Sequence, residues 1–398
     1  NFDGRMQGEI LAASFNGAVY RVRIGPDGER VNLVTPLASG FGELPLDVEA
    51  IGDDGPFPGT VWVASYGFDS SGSEINVFEP SDYDGSTGGG TCDPSNPDED
   101  SDGDGYTNAD ERAAGTDPCN TASQPEDNDG DGVSDVTDPD DDDDGRPDTT
   151  DPFALDPDDG TTTAVPKTIS FGTAKANDPL DAGFTGVMTN GTDYAALYDA
   201  SQVTVGGASS VMTLGEIGSG TALGDANDQR YGFQFGVDAP DEPFTVHTSI
   251  RNGFDGQPAQ PGQSYGVFLG DGSQSSYAKL VVAGGNGGEV RLVTEADDSV
   301  VDTDATAEPR VSGTDFELYL TVYPSNDTVR ASYLAGEDAS RTFVGEYESL
   351  PASWYDSADR GLAVGILGTS DEDGTVTASY ETVGIGTAAD ALPAQPGS

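Results

Sequence analysis

The chain has 398 residues, enough for two or three domains of ordinary size. It carries 16 Lys and Arg against 72 Asp and Glu, a formal charge of −56. That balance repels nucleic-acid phosphate and anionic lipid alike, so neither is expected as a partner, and no stretch approaches the ~20 apolar residues of a membrane span.

Residues 1–85 read as short strands separated by Gly, Asn and Asp turns, with no helical period. "GEILAAS", "GAVYRVRIG" and "RVNLVTPL" come first, then "PLDVEAIG", "GTVWVASYG" and "EINVFEP". The run "PLDVEAIG…GTVWVASYG…INVFEP" resembles blades of a β-propeller related to NHL repeats or glucose/sorbosone dehydrogenases. The likeness covers about two blades, whereas a propeller closes its ring with four or more. Either blades precede Asn1 or the segment pairs with other chains, and a small unrelated sheet is the plain alternative. The start at Asn1 reads as processed or cut from something longer.

Residues 86–163 contain no apolar run able to form a core, and 25 Asp and Glu crowd between Thr91 and Gly160. A disordered acidic tail would look similar in composition. The spacing is different. In a twelve-residue window from Asp100, positions one, three and five are Asp100, Asp102 and Asp104, and Gly105 is sixth. Tyr106 offers a backbone carbonyl seventh, Asn108 is ninth, and Glu111 stands twelfth. This is the D-x-[DN]-x-[DN]-G-x5-E calcium loop. The window fits again at Asp127, Asp129, Asp131, Val133 (carbonyl), Asp135 and Asp138, around Gly132. A third copy uses Asp140, Asp142, Asp144, Arg146 (carbonyl), Asp148 and Asp151, around Gly145. An acidic tail has no reason to place glycine sixth three times.

A set of oxygen ligands without His or Cys suits Ca²⁺ better than zinc or copper, and about three ions are expected. With a Kd of about 10⁻⁴ M and free Ca²⁺ near ~10 mM, each ion would add about 2.7 kcal/mol to the folded state. The tandem D-x-D-x-D-G units resemble thrombospondin type 3 repeats, and "NADERAAGTDP" after the first loop resembles the bacterial form, with a short helix there. The resemblance implies a chain with little core wrapped on a row of calcium ions, with ligands such as Asp138 serving neighbouring sites. "DPFALDPDDG" reads as a degenerate fourth unit, to which no full site is assigned. Cys92 and Cys119, the only cysteines, bracket the first loop. A disulfide there would add about 3–4 kcal/mol and points to an oxidising, extracellular setting.

Residues 164–387 return to alternating strands, from "QRYGFQFGVD" and "PFTVHTSIRN" to "GLAVGILGTS" and "TVTASYETVGI". About ten strands and no helix imply a two-sheet sandwich. The pattern "YGVFLGDG…LYLTVYPSNDTVRASY…LPASWYDSADRGLAVGILGTS" resembles the concanavalin-A-like, laminin-G-type jelly roll. The expected fold is therefore mostly β: propeller-like blades, a loop-rich calcium rod and a C-terminal jelly roll. Residues 388–398 read as a linker-like tail.

Outside the acidic segment 47 acids still face 14 bases (72 less 25, 16 less 2), and only three Lys occur in the chain. An acidic, Lys-poor surface resembles that of secreted proteins from halophilic archaea, where salt of about 1 M cuts the Debye length to roughly 3 Å. Asn190 and Asn326 begin Asn-x-Thr sequons, usable if the protein is outside the cell. Catalytic signatures are lacking: the one histidine, His247, lies in a strand-like run, and no nucleophile elbow or zinc-protease motif occurs. Glu346 and Glu348 lack the central Asp of the jelly-roll glucanase motif and read as strand-edge residues. Trp354, Tyr265 and Tyr355 could stack on a sugar, although sandwich aromatics mostly pack the core. The expectation is a non-enzymatic, calcium-binding surface or adhesion protein whose jelly roll holds glycan or another copy of itself. A filament or coat subunit and the non-catalytic end of a larger propeller oxidoreductase are its rivals.

Overall fold

The computed structural model of the protein describes residues 9–14, 18–24, 31–39, 44–50, 60–66, 74–78, 94–172, 178–206, 210–370 and 374–387. The chain divides into two compact units, Asn1–Asp138 and Pro139–Ser398. The division falls between the second and third acidic loops.

In the first unit all six expected strands form: β1 (Glu9–Ser14), β2 (Ala18–Ile24), β3 (Val31–Ser39), β4 (Leu44–Ala50), β5 (Val61–Tyr66) and β6 (Glu74–Phe78). They pair in order as two antiparallel meanders, β1-β2-β3 and β4-β5-β6. Each has three strands among the described residues, one fewer than a propeller blade. Alternation along β5 turns Val61 and Val63 inward, where they meet Val19, Leu11, Leu37, Val48 and Phe78. Trp62, on the other face, donates its indole N–H to Thr60 at 2.9 Å. One short helix, α1 (Asn108–Ala114), follows the first acidic loop.

The second unit is a sandwich of two antiparallel sheets. One runs β19 (Thr342–Tyr347), β18 (Thr328–Ala335), β17 (Phe316–Tyr323), β12 (Phe244–Ile250), β21 (Val376–Thr387), β10 (Val211–Ile217) and β9 (Val203–Gly206), with β7 (Lys167–Ser170) also on β21. The other runs β16 (Ser299–Ala307), β15 (Glu289–Ala296), β14 (Tyr277–Ala283), β13 (Ser264–Gly270), β20 (Leu362–Thr369), β11 (Phe233–Val237) and β8 (Gly186–Val187). Period-two patterning builds the core between them. Phe316, Leu318, Leu320 and Val322 of β17 face Tyr265, Val267 and Leu269 of β13 across it, within one continuous apolar cluster. Each such side chain contributes roughly 1.5–3 kcal/mol. The central strands β13 and β14 are buried on their outer face as well, where Phe268 and Tyr277 pack with Met188 and Leu367.

Residues 151–163 are built into this unit, although the acidic segment is expected to lack a core. Phe153 is fully buried, and Ala154 and Leu155 join the sandwich cluster. Gly160, at φ +74°, lies so close to β11 that a Cβ there would stand 2.4 Å from Gly236. The Gly361 N–H reaches the Asp159 carbonyl at 2.7 Å.

Candidate metal centre

The three acidic loops share one hydrogen-bond scheme, position for position. The first-position aspartate accepts the N–H of the sixth-position glycine: Asp100 from Gly105 at 3.0 Å, Asp127 from Gly132 at 3.1 Å, Asp140 from Gly145 at 3.1 Å. The third-position aspartates Asp102, Asp129 and Asp142 accept from the fifth-position N–H at 3.2, 2.9 and 3.2 Å. The fifth-position aspartates Asp104, Asp131 and Asp144 accept from the N–H of Tyr106, Val133 and Arg146 at 3.1, 2.8 and 2.7 Å. Ninth-position side chains tie the loop across: Asn108 to Ser101, Asp135 to Asn128, Asp148 to Asp141. Gly105, Gly132 and Gly145 have φ of +113°, +94° and +93°, a backbone region that disfavours any side chain.

This scheme takes one oxygen of each third- and fifth-position aspartate. Asp100, Asp102 and Asp104 bring carboxylate oxygens within 4.8 Å of one another, as do Asp127, Asp129 and Asp131, and Asp140, Asp142 and Asp144. Like charges at that distance repel one another, and a cation among them would relieve the repulsion. Glu111 adds to the repulsion in the first loop. It lies on α1, whose first turn is capped by Thr107, with the Thr107 hydroxyl oxygen accepting from the Asp110 N–H at 3.2 Å. Its side chain is fully buried, and neither carboxylate oxygen has a hydrogen-bond partner. Burial, then the charges of Asp102, Asp104 and Asp100, push its carboxyl up to about 7. Asp102 Oδ2, Asp104 Oδ2 and Asp142 Oδ2 are likewise buried without partners. Burial, with Asp144 and Asp140 nearby, moves Asp142 up to about 6. These residues fit a hard divalent cation.

Other expected ligands are placed differently. Asn108 is held as scaffold, its amide donating to the Asn96 carbonyl at 2.7 Å and to Ser101 Oγ at 2.9 Å. Burial would raise Asp127, but hydrogen bonds from Tyr106, Gly130 and Gly132 hold it below the ordinary range. The Tyr106 hydroxyl donates to Asp127 at 2.9 Å, joining the first loop to the second. Asp110 joins them again, accepting from Ser134 N–H and Oγ at 3.0 Å each and from Thr137 Oγ1. Glu111 and Asp138, the twelfth-position residues of the first two loops, both lie outside the three-aspartate groups of their loops. A fourth group combines Asp144 and Asp151 with Asp159. Asp159 was not assigned from sequence. The only signal was the acid-rich "DPDDG" closing the degenerate unit.

Elsewhere, Cys119 lies in the turn after α1, its N–H on Asp117 at 3.1 Å, while Cys92 falls outside the described residues. Asn190 is engaged through its amide with the Asn227 carbonyl at 2.9 Å, and Asn326 is exposed in a 3-10 turn. His247 sits mid-strand on β12, where burial lowers its pKa. Glu346 pairs with Arg330 at 2.7 Å on the edge strand β19. Tyr265 and Trp354 lie in the core, with Tyr355 packed against it.

A family model described as a bacterial TSP3 repeat matches residues 100–121, the first loop with its helix. That repeat is of a calcium-binding type. No curated protein matches the chain. Among solved structures, the GH43 protein BlXynB from Bacillus licheniformis matches at 14% identity and TM-score 0.36, covering 45% of this chain and 33% of its own. The chain thus spans about a third of that protein. Bacteroides ovatus GH43B of the xyloglucan PUL matches at 13% identity and TM-score 0.41, covering 96% of this chain and 74% of its own. Arcelin-5, a lectin-like defence protein from Phaseolus vulgaris, matches at 10% identity and TM-score 0.31, covering 46% and 89%. At 10–14% identity and TM-scores of 0.31–0.41 these likenesses assign the chain no activity. The expectation of a non-enzymatic surface or adhesion protein, with filament subunit and oxidoreductase end as rivals, is corrected in its exclusion of an enzyme, since GH43 proteins are among the matches. The physical reason is that β-sandwiches and β-blades carry enzymes and binding modules alike. Missing sequence motifs were no ground for excluding an enzyme.

Proposed function

We propose that residues 100–159 form a calcium-binding module in which three tandem loops take their shape around Ca²⁺. The observation that carries this reading is Glu111: a fully buried carboxylate, both oxygens without partners, held beside three aspartates. A buried ionised carboxylate costs several kcal/mol unless a cation or donors satisfy it. In the first loop Asp100, Asp102, Asp104, the Tyr106 carbonyl and Glu111 would hold the ion; the second and third loops would use their equivalents. The hard-oxygen donor set favours Ca²⁺, and Mg²⁺ would require a tighter octahedron. The same reading places the chain outside the cell, where calcium is millimolar, in a saline medium that screens its charge of −56. It also includes a Cys92–Cys119 disulfide closing the first loop; among the described residues no cysteine is free.

Calorimetric titration of the full chain with CaCl₂ tests the proposal. About three ions per chain should bind, with Mg²⁺ at the same concentration competing weakly. Heat no greater than that of dilution, in protein stripped of metal beforehand, would overturn it.

A further inference from the structure

The third loop differs from the others in what stands behind it. Asp144 belongs to two carboxylate groups, one with Asp140 and Asp142 and one with Asp151 and Asp159. Asp151 is fully buried; its Oδ1 accepts the Phe153 N–H at 2.7 Å and its Oδ2 has no partner. Asp159 is 4% exposed, and its Oδ1 has no partner. Its other oxygen meets Arg146 Nη1 at 2.8 Å, and Arg146 Nε stands 3.8 Å from Asp144. The Arg146 guanidinium thus meets two of the five carboxylates of these groups, Asp144 and Asp159.

Asp159 is also fixed in place. Its backbone is left-handed at φ +50°, its N–H reaches the Asp156 carbonyl at 2.7 Å, and its carbonyl accepts from Gly361 at the edge of β20. Gly160 beside it abuts Gly236 of β11. The carboxylate is thus presented by the sandwich and not by the twelve-residue loop.

We propose that Asp159 is a calcium ligand of the third loop, so that one bound ion clips the loop to the entry of the β-sandwich. The inference rests on the calcium reading above and extends it to a residue outside the loop pattern. Ion binding at this seat is then coupled to the stability of the sandwich, because a ligand held only by the folded state shifts the equilibrium toward it. Arg146 partly occupies the same carboxylates and competes with the ion.

Hydrogen exchange of the full chain across a Ca²⁺ titration tests this, read residue by residue. In the unmodified protein, protection at Phe153 and Gly361 should rise with Ca²⁺. D159N should move that midpoint at least tenfold to higher Ca²⁺, leaving the midpoints at Gly105 and Gly132 unchanged. R146Q should move the Phe153 and Gly361 midpoint to lower Ca²⁺. A D159N midpoint within twofold of the unmodified protein, or an equal shift at all three loops, overturns the assignment. Should D159N fail to fold, an R146Q midpoint that is unchanged or raised overturns it instead. No response at Gly105 and Gly132 would sink the calcium reading itself, whereas a response there with none at Gly361 sinks only the role of Asp159.

Discussion

Glu111 and Asp142 show how single carboxylates record what surrounds them. Both are raised, to about 7 and about 6, first by burial and then by neighbouring aspartates. A raised folded-state pKa means that the metal-free fold holds protons the unfolded chain has released. Its contribution to stability is full below the ordinary carboxylate range and is lost as pH rises toward 7. Calcium reverses the sign, since it needs the ionised form. Calcium affinity of the first loop should therefore fall about tenfold from pH 8 to pH 6, while metal-free protein gains stability over the same interval. Calorimetric titration at the two pH values, and thermal unfolding in EDTA, check the two halves. E111Q keeps shape and removes charge, and should weaken the first loop at least tenfold, about 1.4 kcal/mol, with the other loops unaffected.

At the level of elements, α1 matters because it carries Glu111 behind a Thr107 cap. T107A should cost about 1 kcal/mol and loosen calcium at the first loop alone, read by thermal unfolding and by titration. Gly160 is the corresponding weak point of the sandwich entry. G160A meets Gly236 backbone and a positive φ at once, and should lower sandwich stability by roughly 2 kcal/mol or more in denaturant unfolding. Where alternation was strong the sequence was legible: all six strands of the first unit and the ten strands named from "QRYGFQFGVD" onward are present. β16 was not, because "SVVDTDATA" lies at a sheet edge with little buried side chain and so carries no apolar period. β10 escaped because Gly215 and Glu216, the latter at φ +50°, interrupt it with a register shift. The three acidic loops were legible as loops, since the D-x-D-x-D-G spacing sets the hydrogen-bond scheme they share. Asp159 was not, because its position depends on a backbone approach between Gly160 and Gly236 that no local pattern encodes.

Over the whole molecule two kinds of cohesion coexist. The sandwich has a continuous apolar core, whereas residues 100–138 are held by carboxylates and backbone N–H groups. Chelation should accordingly abolish hydrogen-exchange protection at Gly105 and Gly132 while β13, β14 and β17 retain theirs; loss of protection in both at the same EDTA concentration would contradict this. Raising monovalent salt from about 0.1 to about 1 M should raise the unfolding temperature, because self-repulsion of 56 net charges is screened.

The phenol of Tyr106 sits at the junction of two of the loops, its carbonyl belonging to one and its hydroxyl resting on the first aspartate of the next. Such a ring absorbs near-ultraviolet light and can pass that excitation to a luminescent lanthanide seated a few ångströms away. The chain thereby carries its own optical antenna, and terbium emission would report filling of the paired loops without any added dye.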